Sequence, residues 1–251
     1  MTIVHVHIER TGGISLQSLY EKKYPGPEML WYSVRDGMFA PFNIKTANYT
    51  KHWQLKIYAF LSARLWVVRH CMLWVRAYRR KRQAVRPEDL SQKAALIIGH
   101  FAVAEVMPYL PPRDHSYRTV VRDPLDRMWS HYCHWRAHKG DVGYRVVPAY
   151  RADMSFEEFA LLPELRDYQT QAVGSDLEIY EYIGTTDTLE QFAVRTGLVE
   201  SMGATPKVNH FSKPMPNFSD TFQNNFKQMH ARDHVLYTAA CARTENCCDS
   251  T

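Results

Sequence analysis

Ile3 to Ile8 alternates apolar with polar side chains and is rich in β-branched types, a pattern that predicts a strand. Thr11-Gly12-Gly13 breaks the alternation, and Ser15, Leu16, Leu19 and Tyr20 resume it at helical spacing. Further strands are expected at 31–34, at the apolar run Ala94–Ile98 bounded by Gly99-His100, at Tyr117–Val121 and at Ile179–Ile183. Between them lie helical patterns. Leu125, Met128, Trp129 and Tyr132 share one face of a helix that Asp123 caps and Pro124 opens. Ser155 to Leu162 reads as a capped helix, Leu189 to Gly197 as another, and about 220–242 as a closing pair. Residues 109–113, 140–148 and 203–219 are loops, and 28–50 show no clear period beyond the short strand.

Strands alternating with helices imply an α/β fold in one domain over residues 1–251. The expected architecture is a P-loop-like central parallel sheet flanked by helices, with a helical insertion at about 51–90. In that insertion Trp53, Ile57, Phe60, Leu61, Leu65, Val68, Met72 and Val75 recur at three- and four-residue steps, and Arg76 to Arg82 is strongly basic. A solvated helical insertion, a peripheral membrane helix and a docking site for a polyanion all fit segment 51–82, although Arg64 and Arg69 interrupt its apolar sector. Ligands of open α/β sheets bind at the carboxyl ends of the strands, near a switch in strand order. Three polar turns fall there: 9–15, 99–100 and 122–130. A strand, a glycine turn and a helix N-terminus together aim N–H groups at one point and attract an anion, though such a turn is also common as plain structure.

Composition narrows this further. Hydrophobic residues make up 45% and charged residues 23% of the 251, enough for a real core. The net charge of +5 favours anionic ligands but lacks the clustering that nucleic-acid binding needs. Five cysteines in no repeated spacing suggest reduced thiols. With no signal-peptide pattern and no long uncharged stretch, a soluble cytoplasmic protein is expected. His131, His134 and His138 share a helix face, but no cysteine or carboxylate set completes a metal site, so none is assigned. A kinase or nucleotide triphosphatase would need a G-x-x-x-x-G-K-[ST] loop, which is absent.

His7-Ile-Glu-Arg-Thr-Gly-Gly-Ile-Ser-Leu16 resembles the H-[IV]-P-K-T-G-G-T-S-[LF] loop of sulfotransferases, most like the branch with the heparan and chondroitin sulfate O-sulfotransferases and their bacterial relatives. Val121-Arg-Asp-Pro-Leu-Asp-Arg-Met-Trp-Ser-His-Tyr132 resembles that family's R-D-P-x-x-R-x-x-S-x-Y signature, and Gly99-His100-Phe101 its G-H element. Weaker echoes lie at 167–171, 183–189, 208–212 and 233–237. The resemblance implies transfer of a sulfuryl group from 3′-phosphoadenosine 5′-phosphosulfate (PAPS) to a hydroxyl, without a metal. Arg10, Thr11, Gly12, Gly13, Ser15 and Leu16 would hold the 5′-phosphosulfate, Arg122 and Ser130 the 3′-phosphate. His100 would be the base and Arg10 the electrostatic stabiliser. The acceptor would be a carbohydrate, free or as a glycolipid. Glu9-Arg10 stands where the family carries proline-lysine, and Ile14 replaces a small polar residue. Arginine is a planar fork rather than a point charge, and Glu9 opposes a polyanionic donor unless it is paired or turned away. The alternative is a sulfotransferase-like fold without turnover, serving as a nucleotide- or surface-binding module.

Overall fold

The computed structural model describes residues 1–33, 38–41, 84–137, 147–203 and 214–245. The expected insertion helix at 51–82, His138, the echo at 208–212 and the tail cysteines lie outside the described residues. Ile3–Val6 forms β1, inside a six-stranded sheet. β2 (Met29–Ser33), β3 (Met38–Pro41), β4 (Leu96–Gly99), β5 (Ser116–Val121) and β6 (Tyr180–Thr185) complete it in the order β3-β2-β4-β1-β5-β6. Every pairing is parallel except β2 with β3. The chain is thus α/β with a mostly parallel central sheet. β3 carries no signal in the sequence because Met38-Phe39-Ala40-Pro41 has no apolar–polar alternation and ends in proline, as an edge strand can.

Helices cover both faces. α1 (Gly13–Lys23) and α7 (Leu189–Arg195) pack Leu16, Tyr20 and Phe192 on Ile3, Leu96, Ile98 and Val120. On the other face, α2 (Leu90–Lys93), α3 (Val103–Val106), α6 (Tyr168–Val173) and α9 (Ala231–Glu245) bring Leu90, Val106, Val173 and Leu236 against Val4, Val6, Ile97 and Val121. The polar positions of β1 do not face solvent. His5 and His7 are buried because helices roof both sides of a central parallel strand, and His5 meets Tyr20 and Phe192.

α4 (Pro124–Ala137) begins as expected: Asp123 Oδ1 accepts from the N–H groups of Leu125 and Asp126, both at 3.0 Å. It buries Met128, Tyr132 and Trp135 in an aromatic cluster with α5 (Phe156–Ala160) and α8 (Asp220–Met229). Full burial of each such side chain stabilises by about 1.5–3 kcal/mol, so α4 is a rigid mount for whatever its other face carries. No described helix is long and apolar enough to cross a membrane.

Candidate functional site

β1 lies between β4 and β5, with Val6 opposite both Gly99 and Thr119. The connection after β1 leads towards β2 on one side, and the one after β5 to β6 on the other. Crevices open where connections diverge in this way, and the turns that follow β1, β4 and β5 meet there. The His7 N–H donates to Gly99 O at 3.0 Å, carrying the pairing of β1 and β4 into those turns.

The first turn runs from His7 to Gly12. Thr11 Oγ1 donates to Ile8 O at 2.9 Å, so this hydroxyl closes the turn. Gly12 adopts φ 81°, which glycine tolerates, but Arg10 adopts φ 71°, which costs an ordinary residue about 1–3 kcal/mol. Gly13 has no substitute, because a Cβ there would fall 1.6 Å from His7 Cε1. The His7 ring fills that space, and among the described residues its buried Nδ1 has no hydrogen-bond partner. α1 starts at Gly13 with no side chain capping it. Ser15 is buried in its first turn, while Leu16 is a core residue whose N–H bonds Gly12 O at 3.2 Å.

Two guanidinium groups bring the first and third turns together. Arg10 Nε donates to Ser130 Oγ at 3.0 Å, and Arg122 Nη1 donates to Arg10 O at 3.4 Å. Burial, then the charge of Arg122, pushes the Arg10 guanidinium below its ordinary pKa. Among the described residues no carboxylate forms an ion pair with either arginine.

Arg122 is held from behind. Gln169, fully buried on α6, donates Nε2 to Arg122 O at 2.8 Å and accepts the Arg122 N–H on Oε1 at 3.0 Å. α6 is fixed in turn by Asp233, which accepts from the N–H groups of Gln169 and Thr170 at 3.2 and 2.7 Å. Asp167 reciprocates, accepting from the N–H groups of Arg232 and Asp233 at 3.1 and 3.3 Å. Replacing Gln169 by leucine strands both backbone groups of Arg122 and is expected to cost about 1–3 kcal/mol in denaturant unfolding. An unchanged midpoint would show the clamp to be dispensable.

On the second turn, His100 Nδ1 lies 2.9 Å from His7 O. A carbonyl only accepts, so Nδ1 carries the proton and Nε2 is the basic nitrogen of the neutral ring. The ring rests on His7, with centroids 4.6 Å apart, and meets Trp31 edge-on at 5.8 Å.

No protein-family model matches the chain, and no curated protein matches it. Among solved structures, a sulfotransferase from Alicyclobacillus acidocaldarius is similar over 92% of both chains, at 14% identity and a TM-score of 0.35. A superposition this loose, at so low an identity, says nothing about activity. The chemistry of the site has to stand alone.

That chemistry includes Glu9, which is paired. Its Oε2 lies 3.0 Å from Nε2 of the buried His131. His131 Nδ1 faces Arg127 Nη1 at 3.3 Å. A guanidinium only donates, so Nδ1 accepts and Nε2 carries the proton on the side of Glu9, in a close contact whose angle falls outside hydrogen-bond geometry. Arg127, also buried, lies over the Tyr168 ring at 4.8 Å. Burial opposes charge on Glu9, yet the close His131 N–H and the positive charge around it, Arg127 included, hold its carboxyl well below the usual range. Burial keeps the His131 ring neutral against the pull of Glu9. Both His131 ring nitrogens face protein groups, and among the described residues no group of three His, Cys, Asp or Glu side chains is placed to hold a metal.

The sequence-predicted residues Arg10, Thr11, Gly12, Gly13, Ser15, Arg122 and Ser130 gather at these turns with His100 nearby. Leu16 goes to the core. Sequence reasoning missed Gln169, Arg127 and His131 as parts of the site. Gln169 lies in the echo at 167–171, and Arg127 is the second arginine of the R-D-P-x-x-R signature, so for both a signal existed without a role attached.

Proposed function

We propose that these turns form the donor site of a sulfotransferase that uses PAPS and a hydroxyl acceptor, a carbohydrate. The observation that carries this reading is the Arg10–Arg122 pair. The Arg122 guanidinium reaches the Arg10 carbonyl, close enough for its charge to be felt at the Arg10 guanidinium, just ahead of a helix start with no side-chain cap, and neither arginine has an ion-paired carboxylate among the described residues. A donor that brings one phosphate to each would relieve their repulsion and gain charge-assisted hydrogen bonds. The orphaned His7 Nδ1 against Gly13 adds a buried polar atom that needs a partner.

PAPS supplies an activated sulfuryl group when bound. Arg10 and the first-turn N–H groups of α1 stabilise charge on the phosphate oxygen as its bond to sulfur breaks. Arg122 and Ser130 bind the 3′-phosphate. His100 Nε2 takes the acceptor's hydroxyl proton while that oxygen forms the new bond to sulfur.

Titration with 3′-phosphoadenosine 5′-phosphate tests the donor site. At a hundredfold excess over Kd the folded state should gain about 2.7 kcal/mol, read as a rise in Tm. Arg122→Ala should weaken that binding by about 1.5–3 kcal/mol. No stabilisation of the folded wild type would sink the reading. Transfer of labelled sulfate to a glycan panel then tests turnover, and binding without transfer would leave a nucleotide-binding module.

A further inference from the structure

Glu9 and Arg10 meet two consecutive residues of α4. Glu9 Oε2 lies 3.0 Å from His131 Nε2, and Arg10 Nε lies 3.0 Å from Ser130 Oγ. We propose that Glu9 is a positioning residue: its carboxylate, held by His131, fastens the turn to α4 and keeps Arg10 in the left-handed backbone conformation that lays its guanidinium beside Ser130 and Arg122.

A left-handed arginine persists only where its surroundings over-determine it. The Arg10 Nε contact fixes the end of a long side chain, and Arg122 adds only a long 3.4 Å bond at the Arg10 carbonyl. A second contact on the preceding residue restrains the backbone as well. The anchor is firm, because His131 is 1% exposed, its other nitrogen is engaged by Arg127, and Arg127 is packed on Tyr168. The Glu9 side chain is 34% exposed, so its charge keeps some hydration while it is tethered. A carboxylate that looks hostile to an anionic ligand thereby turns away from it, and places the cation that receives that ligand.

The inference rests on the donor-site reading for its binding test, so a second measurement is independent of nucleotide. In 15N-edited NMR spectra, with Arg10→Lys assigning the signal, the Arg10 Nε–H should be protected from exchange in the wild type. Glu9→Ala should remove that protection and weaken binding of 3′-phosphoadenosine 5′-phosphate by about tenfold, a size typical of coupled neighbours. Glu9→Gln, which keeps an amide oxygen in reach of the His131 Nε2 proton, should restore most of both. His131→Ala should match Glu9→Ala, and the double variant should be no worse than either single one. Glu9→Ala suffices if His131→Ala does not fold, since Glu9 is partly exposed. Retained protection in Glu9→Ala, or tighter nucleotide binding by it, would overturn the proposal. If the wild type binds no nucleotide, the donor-site reading fails while the exchange measurement still decides the role of Glu9.

Discussion

Replacing His100 by alanine is expected to lower sulfuryl transfer by about 10²–10⁴-fold while nucleotide binding survives, the loss typical of removing a general base. The expectation follows from the tautomer. His7 O can only accept, so it holds the His100 proton on Nδ1 at 2.9 Å and leaves Nε2 as the basic nitrogen. His7 and Trp31 fix the plane of the ring, so its orientation does not depend on the acceptor. His100→Asn separates chemistry from shape, because the amide can still donate to His7 O but cannot take a proton at neutral pH. Asparagine should therefore fold like the wild type and transfer as poorly as alanine. Transfer that survived in either variant, on a glycan accepted by the wild type, would assign the base elsewhere.

Stability is expected to fall steadily as the pH drops below about 6.5, the value at which histidines of the unfolded chain begin to protonate. His5 is buried against Tyr20 and Phe192, and burial, aided by Arg118, lowers its pKa from 6.5 to about 3. His7 is likewise held well below 6.5 by burial and by His100 and His5, with Glu9 opposing. Burial also lowers His131, His230 and His234. In each case the folded-state pKa lies below the unfolded one. The unfolded chain thus binds more protons under acid conditions, and the stabilisation is complete above pH 6.5 and lost as the pH falls towards the folded values. Each fully neutral buried histidine contributes a slope of up to about 1.4 kcal/mol per pH unit in that window. Urea midpoints measured from pH 8 to pH 5 should show the decline, and His5→Leu should make it shallower. A midpoint that stayed level to pH 5 would mean that these rings protonate without unfolding.

The alternation of strand and helix was legible because periodicity is local. β1, β4, β5 and β6 and helices α1, α4, α5 and α7 all lie where the pattern placed them, to within a few residues. Capping was equally legible. Asp123 before Pro124 announces the start of α4, and Ser155 with Glu158 forms a reciprocal cap, with bonds of 2.7 and 3.2 Å. β3 and the short helices α2, α3 and α6 were not legible: Met38-Phe39-Ala40-Pro41 does not alternate, and the helices span less than two turns without the side-chain cap that marks α5. The environment of β1 was misleading in isolation. His5 and His7 look like an exposed polar face until α1 and Trp31 are placed over them.

By itself the sequence determined that this chain is an α/β protein whose glycine turn, Gly99-His100 and Arg122-Asp123-Pro124 each follow a strand. Those facts depend on neighbouring residues, and neighbouring residues are what a sequence displays. Only the tertiary structure decided what the residues do to one another. Arg10 meets Ser130 across 120 positions and Gln169 clamps Arg122 across 47, distances that no local period can encode. The same holds for Glu9. Read along the chain, it is an acid beside an anion site. Folded, it is a carboxylate tied to a neutral, buried histidine, because strand order puts the end of β1 against α4.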